Sequence, residues 1–256
     1  MKKRVLSWLI LLPLMTWFAA DVKTVVAQEE LIVSAAASLT NAFTDIGKEF
    51  ENANPGIKVV LNFGASGALL QQIDKGAPVD VFASADQKTM DQALEKKLMV
   101  PDTRKDFVSN GLVLIVPKGS KFLIKAAKDL TLKEVTRISL GNPDSVPAGR
   151  YTQEALKNEG LWETLSPKFI YGESVRQVLD YVSRGEIDAG FVFATDAIVA
   201  KDKVEVVSAV QNHKPILYPI AVIEASRKKE AAQRFVAFVM SQKGQQILAQ
   251  YGFGKP

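Results

Sequence analysis

The chain has 256 residues, of which 47% are hydrophobic and 23% are charged, with 16 Gly, 11 Pro, one His and no Cys. This composition is typical of a folded globular protein and argues against intrinsic disorder. The lack of Cys excludes disulfides, zinc fingers, iron–sulfur centres and thiol nucleophiles, and the single His, His213, excludes metal sites built on two His.

The formal net charge of +4 is concentrated near the start of the chain. Residues 1–27 carry four basic residues and one acidic residue, which leaves 28 basic and 27 acidic residues in the rest of the chain. Nucleic-acid binding requires a basic patch on the folded part of a protein. The charge distribution therefore does not favour that function.

Residues 1–27 have the three parts of a secretory signal peptide. Residues 1–4 are positively charged, residues 5–20 are mainly apolar, and residues 25–27 place small side chains before a cleavage site at Gln28. The alternative, an N-terminal membrane anchor, requires about 20 apolar residues. Because no Cys is available for lipid attachment, we expect an exported, soluble periplasmic protein without a lipid anchor.

From residue 30 onward, short apolar segments alternate with longer amphipathic ones. Predicted strands cover residues 31–36, 57–63, 79–83, 112–117, 137–140, 168–171, 189–193 and 216–222. Predicted helices cover residues 38–52, 69–75, 86–97, 148–158, 175–184 and 229–250, and Asp86 is expected to cap the third of them. The alternation predicts two α/β lobes with parallel strands covered by helices on both faces.

Four predicted junctions between a strand and a helix are rich in small residues and hydroxyls, at residues 35–40, 64–68, 146–149 and 173–176. In a parallel sheet such junctions lie at the carboxyl ends of the strands, where ligands bind. The helix N-termini there present backbone N–H groups and the positive end of the helix dipole, which favour an anion. Ser38 and Ser66 would add hydroxyl donors. The alternative for both serines is N-capping of the helices.

Two further interpretations of these residues stay open. Residues 64–68 (GASGA) approach the GxSxG motif of serine hydrolases, although the fifth position is Ala. A secreted serine hydrolase that uses Ser66 and His213 is therefore a distant alternative. Arg150 and Arg176 lie just inside two predicted helices, where they either give a ligand positive potential or form surface ion pairs.

The junctions and several other segments resemble the molybdate-binding periplasmic proteins of ABC transporters, over essentially the whole chain after residue 27. The segments are AAASLTN (35–41), GAPVD (76–80), SADQK (84–88), VPAG (146–149), TLSPK (164–168) and YGF (251–253). The resemblance implies the type II substrate-binding fold, in which each of two lobes is a mostly parallel sheet flanked by helices and the ligand cleft lies between them. We expect residues 28–111 with 217–256 to form one lobe and residues 112–216 to form the other.

In this family a tetrahedral oxyanion is held by two Ser hydroxyls, by backbone N–H groups at two helix starts, and by a Tyr hydroxyl. The resemblance implies that Ser38, Ser66, Ala148 and Val175 supply the first two kinds of donor. The Tyr belongs to a YxxDA stretch, which begins with Phe193 in this chain, so one donor is missing. Thr195 is a candidate to replace it.

The resemblance implies a non-enzymatic component of an ABC importer, a monomer without a cofactor, which delivers molybdate, and also tungstate, to a membrane permease. The metal would be held only as its oxyanion, with no direct side-chain coordination. Because all the expected ligand groups are donors, a protonated oxyanion such as hydrogen phosphate would lack an acceptor for its own O–H. Another deprotonated oxyanion, such as sulfate, stays open as an alternative ligand.

Overall fold

The computed structural model describes residues 28–256, and their strands form two five-stranded sheets. The predicted signal peptide, residues 1–27, lies outside the described residues. The first sheet contains β1 (Glu29–Ala36), β2 (Ile57–Gly64), β3 (Val81–Ala83), β4 (Lys105–Asn110) and β10 (Ile216–Val222). The second contains β5 (Leu112–Pro117), β6 (Ile138–Gly141), β7 (Phe169–Gly172), β8 (Ala189–Phe193) and β9 (Val204–Val210).

The two sheets have equivalent topologies. Their strand orders are β2-β1-β3-β10-β4 and β7-β6-β8-β5-β9. In each sheet three strands pair in parallel, and one strand (β10 or β5) pairs antiparallel with both of its neighbours. Each sheet is therefore mixed, with four strands in one direction and a single reversed strand.

Most of the helices follow one of the parallel strands, and the helices cover the sheets. They are α1 (Thr40–Ala53), α2 (Ser66–Asp74), α3 (Gln87–Glu95), α4 (Pro147–Asn158), α5 (Trp162–Leu165), α6 (Val175–Ser183), α7 (Ala194–Val199), α8 (Lys229–Met240) and α9 (Gln242–Gln250). On α1 the buried side chains recur every three or four residues, at Ala42, Phe43, Ile46 and Phe50, which is the spacing of one helix face. Within residues 28–256, no helix combines the length and the hydropathy that a bilayer span requires.

The chain passes between the sheets at two short connections. Gly111 joins β4 to β5, and residues 211–215 join β9 to β10. We refer to residues 28–110 with 216–256 as lobe 1, and to residues 112–210 as lobe 2. The predicted boundaries differ from these in two places. They include Gly111 in the first lobe, and they include residues 211–216 in the second.

The eight predicted strands are present, but β4 and β9 were not predicted. Both are edge strands. In β4 only Phe107 and Val108 are buried, and β9 is exposed or half-buried between its two ends. Strands of this kind lack the apolar run or the strict alternation from which a buried strand is recognised.

The prediction of one helix over residues 229–250 was wrong, because the segment contains two helices. Ser241 has an extended backbone and caps α9, with its hydroxyl accepting a hydrogen bond from the Gly244 N–H at 3.2 Å. A Cβ at Gly244 would lie 2.3 Å from the Phe238 carbonyl oxygen, so the break also depends on a close backbone approach. The predicted N-cap of α3 is confirmed, since the Asp86 carboxylate accepts a hydrogen bond from the Thr89 N–H at 3.1 Å.

Candidate functional site

A small cavity lies between the two lobes, at the starts of their helices. The space between its atoms, including the part that opens to solvent, is about 200 Å³. The lining residues are Ala36, Ala37, Ser38, Gly64, Ala65, Ser66, Ala85, Val146, Pro147, Ala148, Val175 and Phe193. All five residues that the sequence analysis placed at the ligand are in this set. The size of the cavity restricts its occupant to one small, compact group.

Lobe 1 contributes two buried serines. Ser38 lies in a 3₁₀ turn (Ala37–Leu39) between β1 and α1, and Ser66 is the first residue of α2. Neither of these helices has a side-chain cap, so the N-capping alternative for both serines is wrong. The Ser66 hydroxyl oxygen instead accepts a hydrogen bond from the Ala85 N–H at 3.0 Å. Its own hydrogen is therefore available to an acceptor in the cavity.

The Ser38 hydroxyl is oriented by a chain of hydrogen bonds that the sequence analysis missed. The Asn110 side-chain amide donates to the Tyr218 hydroxyl at 3.1 Å, and the Tyr218 and Ser38 hydroxyls are 2.9 Å apart. The side-chain oxygen of Asn110, Oδ1, accepts a hydrogen bond from the Gly111 N–H, and this bond fixes the orientation of the side-chain amide. Tyr218 already accepts from Asn110, and Ser38 is its remaining hydrogen-bond partner among the described residues, so we infer that the Tyr218 hydrogen is donated to Ser38. The Ser38 hydrogen is then free to point to the cavity.

Tyr218 is fully buried on β10, and burial raises the pKa of its hydroxyl well above its ordinary value, so the group stays protonated. In the sequence Tyr218 has the position of a core residue in an apolar strand. The signal that could have identified it is the hydroxyl itself, since a buried Tyr O–H requires a polar partner.

Lobe 2 contributes backbone N–H groups at two helix starts. In α4 Pro147 is the first residue and Ala148 the second, and in α6 Val175 is the first. N–H groups in a first turn have no acceptor within their helix. The Ser174 hydroxyl accepts from the Gln177 N–H at 3.2 Å, so its capping bond does not occupy Val175. Both helices direct the positive ends of their dipoles to the cavity.

Phe193, at the end of β8, forms part of the cavity wall and is 1% exposed. Its ring centroid lies 5.7 Å from that of Tyr218 and 6.4 Å from that of Tyr151. Thr195 is buried but is not a lining residue, and its hydroxyl accepts from the Asn110 amide at 2.9 Å. The wall at this point is therefore an aromatic ring, and Thr195 is bonded instead to Asn110, next to the connection between the lobes at Gly111.

None of the twelve lining side chains within residues 28–256 is charged. Directly after Val175, however, Arg176 forms an ion pair with Asp196, with 2.6 Å between Nε and Oδ1. Asp196 is fully buried, and this burial raises the pKa of its carboxyl to about 6, although Arg176 opposes the shift. One of the two predictions for Arg176 was a surface ion pair. Arg176 does form an ion pair, but its partner is buried.

The hydrolase alternative lacks its geometry. The two His213 ring nitrogens lie 2.7 Å from the Lys214 carbonyl oxygen and 3.0 Å from that of Val210. Among the described residues His213 forms no hydrogen bond with Ser66, and it does not line the cavity. Within residues 28–256 no cluster of three or more His, Asp or Glu side chains is placed to hold a metal ion.

Residues 31–254 match the family described as bacterial extracellular solute-binding protein. The chain belongs to this family. The solute-binding protein is 38% identical over 246 residues to the molybdate-binding protein ModA of Escherichia coli K12, an alignment that covers 92% of this chain and 93% of that protein. The predicted family resemblance is confirmed, and membership of a solute-binding family places the chain among transport components, not among hydrolases.

Two solved structures resemble the solute-binding protein over most of its length. The substrate-binding domain of a putative molybdenum ABC transporter from Clostridium difficile is 43% identical, with a TM-score of 0.68, and covers 90% of this chain and 100% of its own. The periplasmic molybdate-binding protein of Azotobacter vinelandii shares the fold, with 24% identity, a TM-score of 0.79 and coverage of 88% of this chain and 99% of its own. The predicted fold class, two α/β lobes with a cleft between them, is confirmed.

Proposed function

We propose that this chain is the substrate-binding component of an ABC importer, that it binds molybdate and also tungstate, and that it delivers them to a membrane permease. The observation that carries the proposal is a small cavity between the lobes whose polar groups are hydrogen-bond donors. The similarity to ModA of Escherichia coli, a molybdate-binding protein, supports the choice of ligand.

The donors come from both lobes. We assign the hydroxyls of Ser38 and Ser66 and the backbone N–H groups of Ala148 and Val175 to the anion, with Phe193 as an apolar wall. The hydrogen bonds from Tyr218 and from the Ala85 N–H support this assignment, because they leave each serine hydroxyl free to donate. Neutral donors also avoid the desolvation of a buried counter-charge, which can exceed the attraction between the charges.

A site of donors selects against protonated anions. Hydrogen phosphate must donate its own O–H, and an O–H without an acceptor costs about 1–3 kcal/mol when buried. Molybdate, tungstate and sulfate are fully deprotonated near neutral pH and do not have this cost. The bound O–H therefore disfavours hydrogen phosphate, whereas sulfate has no such cost and must be distinguished from molybdate by measurement.

Residues 1–27 have the pattern of a signal peptide, which supports cleavage before Gln28 and a periplasmic location. We propose that the mature protein is a monomer that needs no cofactor. Lobe 1 and lobe 2 enclose the anion between them.

Titration calorimetry of the purified protein with molybdate, tungstate, sulfate and phosphate tests the proposal. We expect binding of molybdate and tungstate, and no heat of binding with phosphate. In a thermal-shift experiment, molybdate at about 100 times its dissociation constant should stabilise the protein by roughly 2.7 kcal/mol. Binding of sulfate alone, or of none of the four anions, would overturn the choice of ligand.

A chromogenic ester assay separates this function from the hydrolase alternative. We expect no ester hydrolysis by the protein, and unchanged molybdate binding in His213→Gln. Hydrolysis that disappears in this variant would instead favour an enzyme.

A further inference from the structure

Outside the cavity, one side chain connects the two lobes. Arg150 on α4 of lobe 2 reaches lobe 1, where its Nε and Nη2 atoms both lie 2.7 Å from Oδ2 of Asp86. Nη2 also donates to the Thr89 hydroxyl at 2.8 Å. The side chains of Arg150 and Asp86 are only 14% and 5% exposed. This contact is therefore a largely desolvated, charge-assisted pair, which is stronger than an ion pair on an open surface.

The same guanidinium group also organises a second contact between the lobes. Its Nη1 atom donates to the carbonyl oxygens of Pro143 and Asp144 at 3.2 Å. The next residue, Ser145, accepts a hydrogen bond from the Gly67 N–H of lobe 1 at 3.0 Å. A Cβ at Gly67 would lie 2.7 Å from the Ser145 carbonyl oxygen and 2.9 Å from its Cα. The lobes approach this closely only because residue 67 has no side chain.

We propose that Arg150 is a latch that keeps the lobes closed and so sets how slowly the bound anion leaves. This inference rests on the proposed function. The closure contacts, which involve Arg150, Asp86, Thr89, Gly67 and Ser145, are formed by residues that do not line the cavity. The anion leaves when the lobes separate, and separation breaks these contacts. Arg150 is thus a positioning residue that acts through lobe closure and does not touch the anion.

Asp86 also has hydrogen-bond partners within lobe 1, which do not depend on contact with lobe 2. Its carboxylate caps α3 through the Thr89 N–H and also lies 3.2 Å from the Ser84 hydroxyl, both within lobe 1. Removing Arg150 therefore leaves Asp86 with partners, and the fold of lobe 1 does not depend on the latch. Removing Arg150 should therefore affect the closure of the two lobes and not the folding of lobe 1.

The test compares the wild type with Arg150→Gln by following the release of radiolabelled molybdate into an excess of unlabelled molybdate. We expect release to become about ten- to a hundredfold faster, with little change in the association rate, because loss of a buried charge partner acts mainly on dissociation. The matched control is Arg104→Gln, since Arg104 is 23% exposed and pairs with Asp91 at 2.7 Å within lobe 1. Its release rate should equal that of the wild type.

A second variant tests closure without altering a charge. In Gly67→Ala the new methyl group should hold the lobes apart, so that release accelerates and X-ray scattering shows a larger radius of gyration with molybdate bound. Gly47→Ala is the control, because a Cβ at this helical position in lobe 1 meets side-chain atoms at an ordinary 3.6 Å.

The outcomes separate the latch from the proposed function. If the wild type binds molybdate but Arg150→Gln and Gly67→Ala release it at the wild-type rate, the latch is wrong. If the wild type binds no molybdate, the proposed function fails instead. Equal melting temperatures of the variants and the wild type without ligand would exclude misfolding as the cause of faster release, whereas destabilised variants would overturn a role restricted to closure.

Discussion

Lobe 1 meets the cavity with two serine hydroxyls, Ser38 and Ser66, whereas lobe 2 meets it with the backbone N–H groups of Ala148 and Val175. The hydroxyls depend on neighbours for their direction, since Tyr218 and the Ala85 N–H determine which way each one donates. The backbone donors need no such neighbours, because the first turn of a helix fixes their direction. They depend instead on where the helix begins.

This difference predicts where each half of the site is vulnerable. In lobe 1 a donor is removed by deleting one oxygen atom. In lobe 2 a substitution other than to proline leaves the backbone donor in place, and a displacement of the helix start weakens it. The following changes test the two halves in order of decreasing expected effect.

The largest effect is expected from Gly149→Ala in lobe 2. A Cβ at Gly149 would lie 1.9 Å from the Gly141 carbonyl oxygen, so the start of α4 must move away from β6 and carry the Ala148 N–H with it. We expect molybdate binding to weaken by about a hundredfold, equivalent to roughly 3 kcal/mol, and overpacking to destabilise the fold by about 1–3 kcal/mol. Calorimetry and urea unfolding measure the two effects.

Gly47→Ala, with its ordinary contacts, again serves as the control. Binding at the wild-type affinity by a folded Gly149→Ala protein would mean that the position of the α4 start does not control the lobe 2 donor.

In lobe 1, Ser66→Ala and Ser38→Ala should each weaken molybdate binding by about 1.5–3 kcal/mol, the range for hydrogen bonds to charged groups. Each change also leaves a buried donor without its acceptor, the Ala85 N–H in Ser66→Ala and the Tyr218 O–H in Ser38→Ala. We therefore expect both variants to lose about 1–3 kcal/mol of stability. Calorimetry and thermal unfolding of both variants test this; wild-type affinity in both would remove the serines from the site.

The lobes also differ in that lobe 2 has a buried ion pair, Arg176 with Asp196, next to its proposed donors. Burial raises the pKa of Asp196 from 3.8 to about 6, so the folded protein holds this proton more tightly than the unfolded chain. The stabilising contribution of the protonated form is complete below pH 4 and is lost as the pH rises to 6, with a slope of at most about 1.36 kcal/mol per pH unit.

Asp196→Asn keeps a neutral side chain at every pH. Its free energy of unfolding relative to that of the wild type should therefore increase between pH 4 and pH 6 and then become constant. Urea unfolding of both proteins across this range measures the difference. A difference that does not vary with pH would show that Asp196 ionises normally.

The local sequence patterns at the four junctions include ten of the twelve lining residues, but they did not predict Ala85, Phe193 or the hydrogen bonds that support the site. The first turns that contain Ser38, Ser66, Ala148 and Val175 were recognisable because strand-to-helix junctions meet at one edge of a parallel sheet. Tyr218 was not recognisable, because its partners, Ser38 and Asn110, are 180 and 108 residues away in the chain. A hydrogen bond over such a separation leaves no local pattern in one sequence.

The closure contacts were missed for the same reason. The sequence places Arg150 near a helix start but does not reveal Asp86 as its partner, 64 residues earlier and in the other lobe. Edge strands β4 and β9 were missed for a local reason, since their side chains are only partly buried. Periodicity thus predicts the buried elements, while contacts between lobes require the fold.

The smallest effect is expected from Phe193→Tyr, which adds a side-chain hydroxyl to the lobe 2 half of the site. Phe193 lines the cavity and is packed against Tyr218 and Tyr151, so the added oxygen must be accommodated at the wall. If it donates to the anion, molybdate binding should strengthen by about 1–1.5 kcal/mol, or five- to tenfold. If it points into the core, the buried hydroxyl should instead cost about 1–3 kcal/mol of stability without any gain in affinity.

Calorimetry distinguishes these results, and Tyr151→Phe, which removes a hydroxyl from a residue outside the lining set, is the control. Tighter binding would make a side-chain donor in lobe 2 equivalent to those of lobe 1, whereas unchanged or weaker binding would mean that lobe 2 acts through its backbone alone.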